Sequence, residues 1–275
     1  MVSAAQPEVM SDRNGWKPWY GPVALVFGLV AATVSQLAIF LIRFGNPTQA
    51  ELNHPPPAIV DAATIAQDVC FVLVAVWIAS WVARPRPAQF GMRSPRVAWW
   101  QALLAVVGAY GAFLVWSSIW AVLFNTNAQE KYLVKEVGGT AGATGAFAAV
   151  LVFCVVAPIC EEFLFRGFIF GALRNWRGPW VAALLTGILF GAIHYGSAPA
   201  VDLVPLGGLG MLLCGVRQLT GSLYPAIALH LVNNAIALGV DEGWGWQIPV
   251  TIVAAAAAVS LVIALMLRAT RVRFA

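Results

Sequence analysis

Two adjacent glutamates and an arginine stand where a sequence this apolar should carry no charge. The segment reads Ala157-Pro158-Ile159-Cys160-Glu161-Glu162-Phe163-Leu164-Phe165-Arg166-Gly167. Each ionisable group inside a membrane helix costs roughly 2.5–3.5 kcal/mol on insertion scales. On a helix Glu162 and Arg166 are four residues apart with the acid first, the favourable orientation for an ion pair. Glu161 points about 100° away and has no partner four residues in either direction. An unpaired carboxylate in an apolar setting can act as a general base. The plainer alternative is a wet helix end from which both acids reach water.

Two further segments carry polar groups of the same kind. Ile188-Leu189-Phe190-Gly191-Ala192-Ile193-His194 places Phe190 one turn before His194. Alone, this histidine is as consistent with a hydrogen-bonded core residue as with a catalyst. In Tyr224-Pro225-Ala226-Ile227-Ala228-Leu229-His230-Leu231-Val232-Asn233-Asn234, His230 and Asn234 share one helix face and Asn233 does not. Histidine and asparagine can donate to a developing oxyanion, or they can join two helices by a buried hydrogen bond. Asp68 is a fourth intruder, in an earlier apolar run. Three polar sets in consecutive segments point to a shared site more than to three separate structural bonds.

The elements that must position these groups are membrane spans. The 275 residues are 60% hydrophobic and 10% charged, with mean hydropathy +0.80. Soluble domains carry about 25% charged residues. The expected fold is an all-α polytopic membrane protein with about eight transmembrane helices, at about 22–42, 63–83, 97–124, 145–173, 180–195, 201–216, 222–240 and 248–267. Pro158 is expected to interrupt the fourth. The sixth is short and broken by Pro205 and Gly207-Gly208, open to a re-entrant course. The segment Asn125 to Thr144 is a loop or a surface helix.

With the N-terminus inside, one side carries Arg13, Lys17, Arg84, Arg86, Arg93, Arg96, Arg174, Arg177, Arg217, Arg268, Arg271 and Arg273, and the other only Arg43, Lys131 and Lys135. The positive-inside rule then places both termini in the cytoplasm. The same flanking arginines explain the basic pI without a nucleic-acid partner. No cleavable signal peptide is expected, since the first apolar run is too long for one. The four cysteines lie in apolar runs without paired spacing, which suggests neither disulfide nor zinc knuckle.

Taken together, Glu161-Glu162 with Arg166, Phe190 with His194, and His230 with Asn234 resemble the EExxxR, FxxxH and HxxxN motifs of the CPBP family, the CAAX prenyl endopeptidases and bacteriocin-processing (Abi) proteins. The resemblance covers about residues 145–240. It divides the chain into an N-terminal region at 1–144, a catalytic core at 145–240, and a last helix with a basic tail at 241–275. It implies peptide-bond hydrolysis inside the membrane. Glu161 with His194 would activate water, His230 with Asn234 would stabilise the oxyanion, and Glu162 with Arg166 would support the site. The family is described as metal-dependent and as metal-free. The expectation here is no tightly bound metal; Glu161, His194 and His230 are the three ligands if zinc is used.

The expected substrate is a membrane protein or lipidated peptide, such as a prenylated CAAX tail, in the bilayer. The high arginine, alanine and valine content suggests a bacterial plasma membrane. Two other classes stay open: a non-proteolytic scaffold or bacteriocin-immunity-type protein, and a proton-coupled transporter using Asp68. A transporter usually shows two related halves, and the sequence shows no internal repeat.

Overall fold

In hydrocarbon a backbone must satisfy its own hydrogen bonds, and the apolar runs do so as helices. The computed structural model describes residues 15–53, 55–125 and 142–272. In chain order the helices are α1 (Tyr20–Phe44), α2 (Gln49–Asn53), α3 (Pro57–Ala79), α4 (Trp99–Phe124), α5 (Gly142–Ala149), α6 (Ala157–Glu162), α7 (Phe170–Ile193), α8 (Leu203–Thr220), α9 (Tyr224–Asp241) and α10 (Gln247–Val272). Among the described residues, six helical stretches are long and apolar enough to cross a membrane.

One of the six, Gly142–Ile193, runs for 52 residues through α5, α6 and α7. Straight, it would measure about 78 Å, more than twice the roughly 30 Å hydrocarbon layer. It reverses at Arg177 and Gly178, whose backbone is not helical; Gly178 takes φ 79°, a conformation a side chain would oppose. The Phe165 and Phe190 rings, far apart in sequence, lie 5.2 Å from one another across this hairpin. The stretch therefore supplies two spans. Helix α9 has 18 residues, and its polar His230, Asn233, Asn234 and Asp241 keep it out of the six. Counting the hairpin twice and adding α9 gives the expected eight.

Two expectations about breaks are corrected. The sixth span is unbroken: a 3₁₀ turn at Ala200–Asp202 leads into α8. Pro205 sits in its first turn, where a missing N–H costs little. Gly207 and Gly208 are contact points: a Cβ on Gly208 would fall 2.6 Å from the Trp116 indole nitrogen. Nor does Pro158 interrupt the fourth span, because a π-helical turn at Val150–Val156 precedes it and the helix continues. Residues 126–141 of the predicted loop lie outside the described residues.

The positive stretches predicted on one side meet at one end of the bundle. Arg93 Nε donates to Gly221 O at 3.0 Å, the Arg96 backbone N–H to Thr220 O at 2.9 Å, and Arg174 to Gln218 at 3.2 Å. Exposed Trp19, Trp81, Trp99, Trp176 and Trp180 accompany this end, as aromatic belts do at membrane interfaces. Helix α4 buries only Ala102 and exposes Leu103, Leu104, Val107, Val115 and Ile119, the surface of a lipid-facing helix. The core lies where α3, α6, α7, α8 and α9 converge.

Candidate active site

The glutamate pair sits between two π-helical turns, Val150–Val156 and Phe163–Ile169. Such turns are rare and cluster at functional sites. In the first, the Ala157 N–H reaches back five residues to Val152 O. The next donor in that register would be residue 158, which is proline and has none. The Phe153 carbonyl is thus left over, and the Asn234 side-chain amide donates to it at 2.9 Å. The proline that the sequence presented as a break instead creates an acceptor that fixes α9.

Across the core, close helix approach sets the other walls. A Cβ on Gly187 would lie 2.6 Å from Gly207 O, and one on Gly210 would lie 3.1 Å from Phe190 Cβ. Small residues let membrane helices approach in this way. The approach delivers the Gly210 carbonyl and the Phe190 ring to Arg166, which is fully buried. Arg166 Nη1 pairs with Glu162 Oε1 at 2.8 Å, Nη2 donates to Gly210 O at 3.0 Å, and the guanidinium lies 4.3 Å from the Phe190 ring centroid. The predicted ion pair is present, on the predicted helix face.

His230 then joins the pair from α9. Its Nδ1 is 2.9 Å from Glu162 Oε1, and its Nε2 is 3.9 Å from Glu161 Oε2. A carboxylate only accepts, so Nδ1 carries the hydrogen. Glu161 Oε2 and Glu162 Oε2 are buried without a hydrogen-bond donor. His194 lies at the end of α7, with Nδ1 2.7 Å from Phe190 O. The carbonyl accepts, so Nε2 is left as a free base. The Phe190 ring contacts both imidazoles, with centroids 4.9 Å from His194 and 5.6 Å from His230.

The structure therefore brings Glu161, Glu162, Arg166 and His230 into one network, and His194 contacts the same Phe190 ring as His230. His194 makes no hydrogen bond or ion pair with Glu161. Asn234 is one turn beyond His230, with one N–H on Phe153 O, while Asn233 donates to Asn234 Oδ1 at 3.3 Å.

Sequence reasoning did not place Asp68 in this site. It is fully buried on α3, neither of its oxygens has a hydrogen-bond partner, and it interacts electrostatically with Glu161. Its signal was an acid within an apolar helix.

A catalytic zinc needs three protein ligands around one point. Among the described residues no three His, Cys, Asp or Glu side chains are grouped to hold a metal. Glu161, His194 and His230 do not converge in that way, and His230 is engaged with Glu162.

Comparison with known proteins agrees with the region in which these groups lie. Residues 143–236 match the family model described as type II CAAX prenyl endopeptidase Rce1-like. This stretch holds both glutamates, Arg166, both histidines and both asparagines; Asp68 lies outside it. An uncharacterized 24.3 kDa protein of Escherichia coli is 27% identical over 161 residues, 58% of this chain and 70% of that protein. A Bacillus subtilis (strain 168) protein named "Putative membrane peptidase YdiL" is 29% identical over 89 residues, 32% of this chain and 35% of that protein. No solved structure gives a significant match.

Proposed function

We propose, from the premise that residues 143–236 form a domain of the Rce1-like family of CAAX prenyl endopeptidases, that the chain is an intramembrane endopeptidase acting on a membrane protein or lipidated peptide. The observation that carries this reading is the buried network in which Glu162 holds Arg166 and His230 at 2.8 and 2.9 Å, while the neighbouring Glu161 is met by His230 Nε2 only at 3.9 Å.

Glu161 is the general base. It takes a proton from a water that the free Nε2 of His194 helps to hold, and the resulting hydroxide attacks the scissile carbonyl carbon. Negative charge moves to the carbonyl oxygen. His230 donates to that oxygen through Nε2, and the second N–H of Asn234 assists. With Nδ1–H given to Glu162, donation through Nε2 uses the ring with hydrogen on both nitrogens, and Glu162 with Arg166 behind it orients that ring. As the tetrahedral species collapses, Glu161 returns its proton to the leaving amine. Atoms and charge balance without a further reactant.

The setting we propose is a bacterial plasma membrane with both termini cytoplasmic. The test is purified protein in proteoliposomes, with a farnesylated CAAX peptide and a set of single-span peptides as probes. New peptide termini are read by mass spectrometry. Cleavage by the wild type and none by Glu161→Gln supports the reading; equal cleavage by both sinks it. The reading uses no metal, so cleavage should survive chelation. One zinc per chain by elemental analysis, lost in His194→Ala, would replace it with a three-ligand mechanism.

A further inference from the structure

We infer that Asp68 is a positioning residue for Glu161: it holds a proton within the membrane and presents it to the Glu161 carboxylate. This rests on the proposed role of Glu161 as base. It assigns a part of the site to α3, well before the family-matched stretch at 143–236.

The argument begins with donors and acceptors. The Asp68 side chain is fully buried and both its oxygens lack a partner; Glu161 Oε2 is buried and lacks one too. Helices α3 and α6 pack together, and Asp68, Glu161 and Cys160 are electrostatic neighbours. Two ionised carboxylates are both acceptors and cannot satisfy one another. A bare carboxylate in an apolar interior is also costly, and neutralisation is the usual escape. One proton held between the two groups removes a charge and supplies the missing donor.

The surroundings assign that proton to Asp68. The Glu161 side chain is 11% exposed and faces His230 Nε2. Asp68 has no counterpart to that imidazole. Helix α1, which packs along α3, carries titratable groups only at its ends, Tyr20 and Arg43. The π-helical turns packed on α3 carry Cys154 and Arg166, and Arg166 is bound to Glu162. Helix α3 itself adds Asp61 and Cys70. The polar contacts nearest along α1 are neutral: Gln36 to Gln67 at 3.3 Å and Ser35 to Cys70 at 3.8 Å. With the proton on Asp68, Glu161 gains a donor from α3 in addition to the imidazole of α9.

The experiment compares wild type, Asp68→Asn, Asp68→Leu and the control Asp61→Asn in proteoliposomes. A neutral amide keeps a donor, so Asp68→Asn should retain turnover near neutral pH. Asp68→Leu should lose about tenfold in kcat, the scale of one net hydrogen bond, with KM little changed. Asp68→Asn cannot lose its donor as pH rises, so its activity should persist further into alkali than that of wild type. Independently of any cleavage, infrared spectra should show the carbonyl stretch of a protonated buried carboxyl in wild type and Asp61→Asn, and not in Asp68→Asn. That arm decides the proton's place even if no probe is cleaved, an outcome that would count against the protease reading alone. The inference is overturned if the infrared band survives in Asp68→Asn. It is equally overturned if both Asp68 variants fall together in kcat, or if neither falls and the pH profile is unmoved.

Discussion

His230 of α9 divides its imidazole between two consecutive glutamates of α6, with Nδ1 at 2.9 Å from Glu162 and Nε2 at 3.9 Å from Glu161. Consecutive residues diverge by about 100° around a helix, so one ring meets both only by lying in the angle between them. The two acids thereby receive different neighbours. Glu162 has Arg166 and the ring hydrogen on one oxygen, Glu161 has the opposite nitrogen at 3.9 Å, and each keeps an Oε2 without a donor. Identical residue types thus receive different surroundings, and the proposed roles of support and reactive group rest on that difference.

The glutamates should accordingly fail in different ways. Glu161→Gln keeps shape and removes the base, so hydrolysis should vanish while the melting temperature in detergent stays close to wild type. Glu162→Gln removes the counter-charge of a fully buried Arg166. Breaking a buried pair from one side costs about 3–5 kcal/mol, so this variant should melt much earlier. A stable Glu162→Gln beside an active Glu161→Gln would reverse the assignment.

Asn234 should show two separable losses. Removing its amide leaves the Phe153 carbonyl unsatisfied, a cost of about 1–3 kcal/mol, and removes an oxyanion donor whose loss typically lowers turnover about 10²–10³-fold. Pro158→Ala returns a backbone N–H beside the same carbonyl. In that background Asn234→Ala should cost less stability yet remain impaired in turnover. Full recovery of turnover in the double variant would make Asn234 a structural residue only. Asn233→Ala should be the milder single change.

The glycines between α7 and α8 should tolerate nothing larger. A Cβ on Gly191 overlaps the Leu203 carbonyl and lies 3.0 Å from Gly207 N. Gly191→Val should therefore push α8 away, drawing Gly210 O from Arg166, with a loss of about 1–3 kcal/mol or more from overpacking. Gly215→Ala meets no atom within 4 Å and should melt like wild type. Thermal unfolding of the pair checks this; equal stability would mean the helices are less closely held than described.

Orientation is checked by reporter fusions. Eight spans with arginine-rich loops in the cytoplasm predict an outside signal at Asn127 and Gly243 and an inside signal at Arg86. Reversal at any of the three contradicts the proposed topology.

The sequence disclosed the contacts that lie within one helix. Glu162 with Arg166 follows from four-residue spacing, and so does the shared face of His230 and Asn234. It could not disclose contacts between helices, because no spacing rule relates α6 to α9. That is why the Glu162–His230 bond, the Gly210 carbonyl on Arg166 and the seat of Asn234 on Phe153 emerged only with the fold. The proline at 158 misled for a related reason: a missing N–H reads as a break unless a π-helical turn absorbs it. Asp68 announced itself as an acid in an apolar run, but its proximity to Glu161 depends on how α3 docks.

The distance in sequence between Arg166 and its partners imposes an order on biogenesis. Glu162 and Arg166 can pair as soon as their own helix forms, so the nascent span enters the bilayer with one pair already neutralised. Gly210 comes 44 residues after Arg166 and His230 comes 68 after Glu162. At synthesis rates of about 5–20 residues per second, several seconds separate the arginine from the imidazole. During that interval Glu161 has Asp68 of the earlier α3 as a neighbour, but not yet the imidazole of His230. On the proposed function, the ribosome must deliver α8 and α9 before the site is complete, so the capacity to act on a peptide bond would arrive late in the chain's own synthesis.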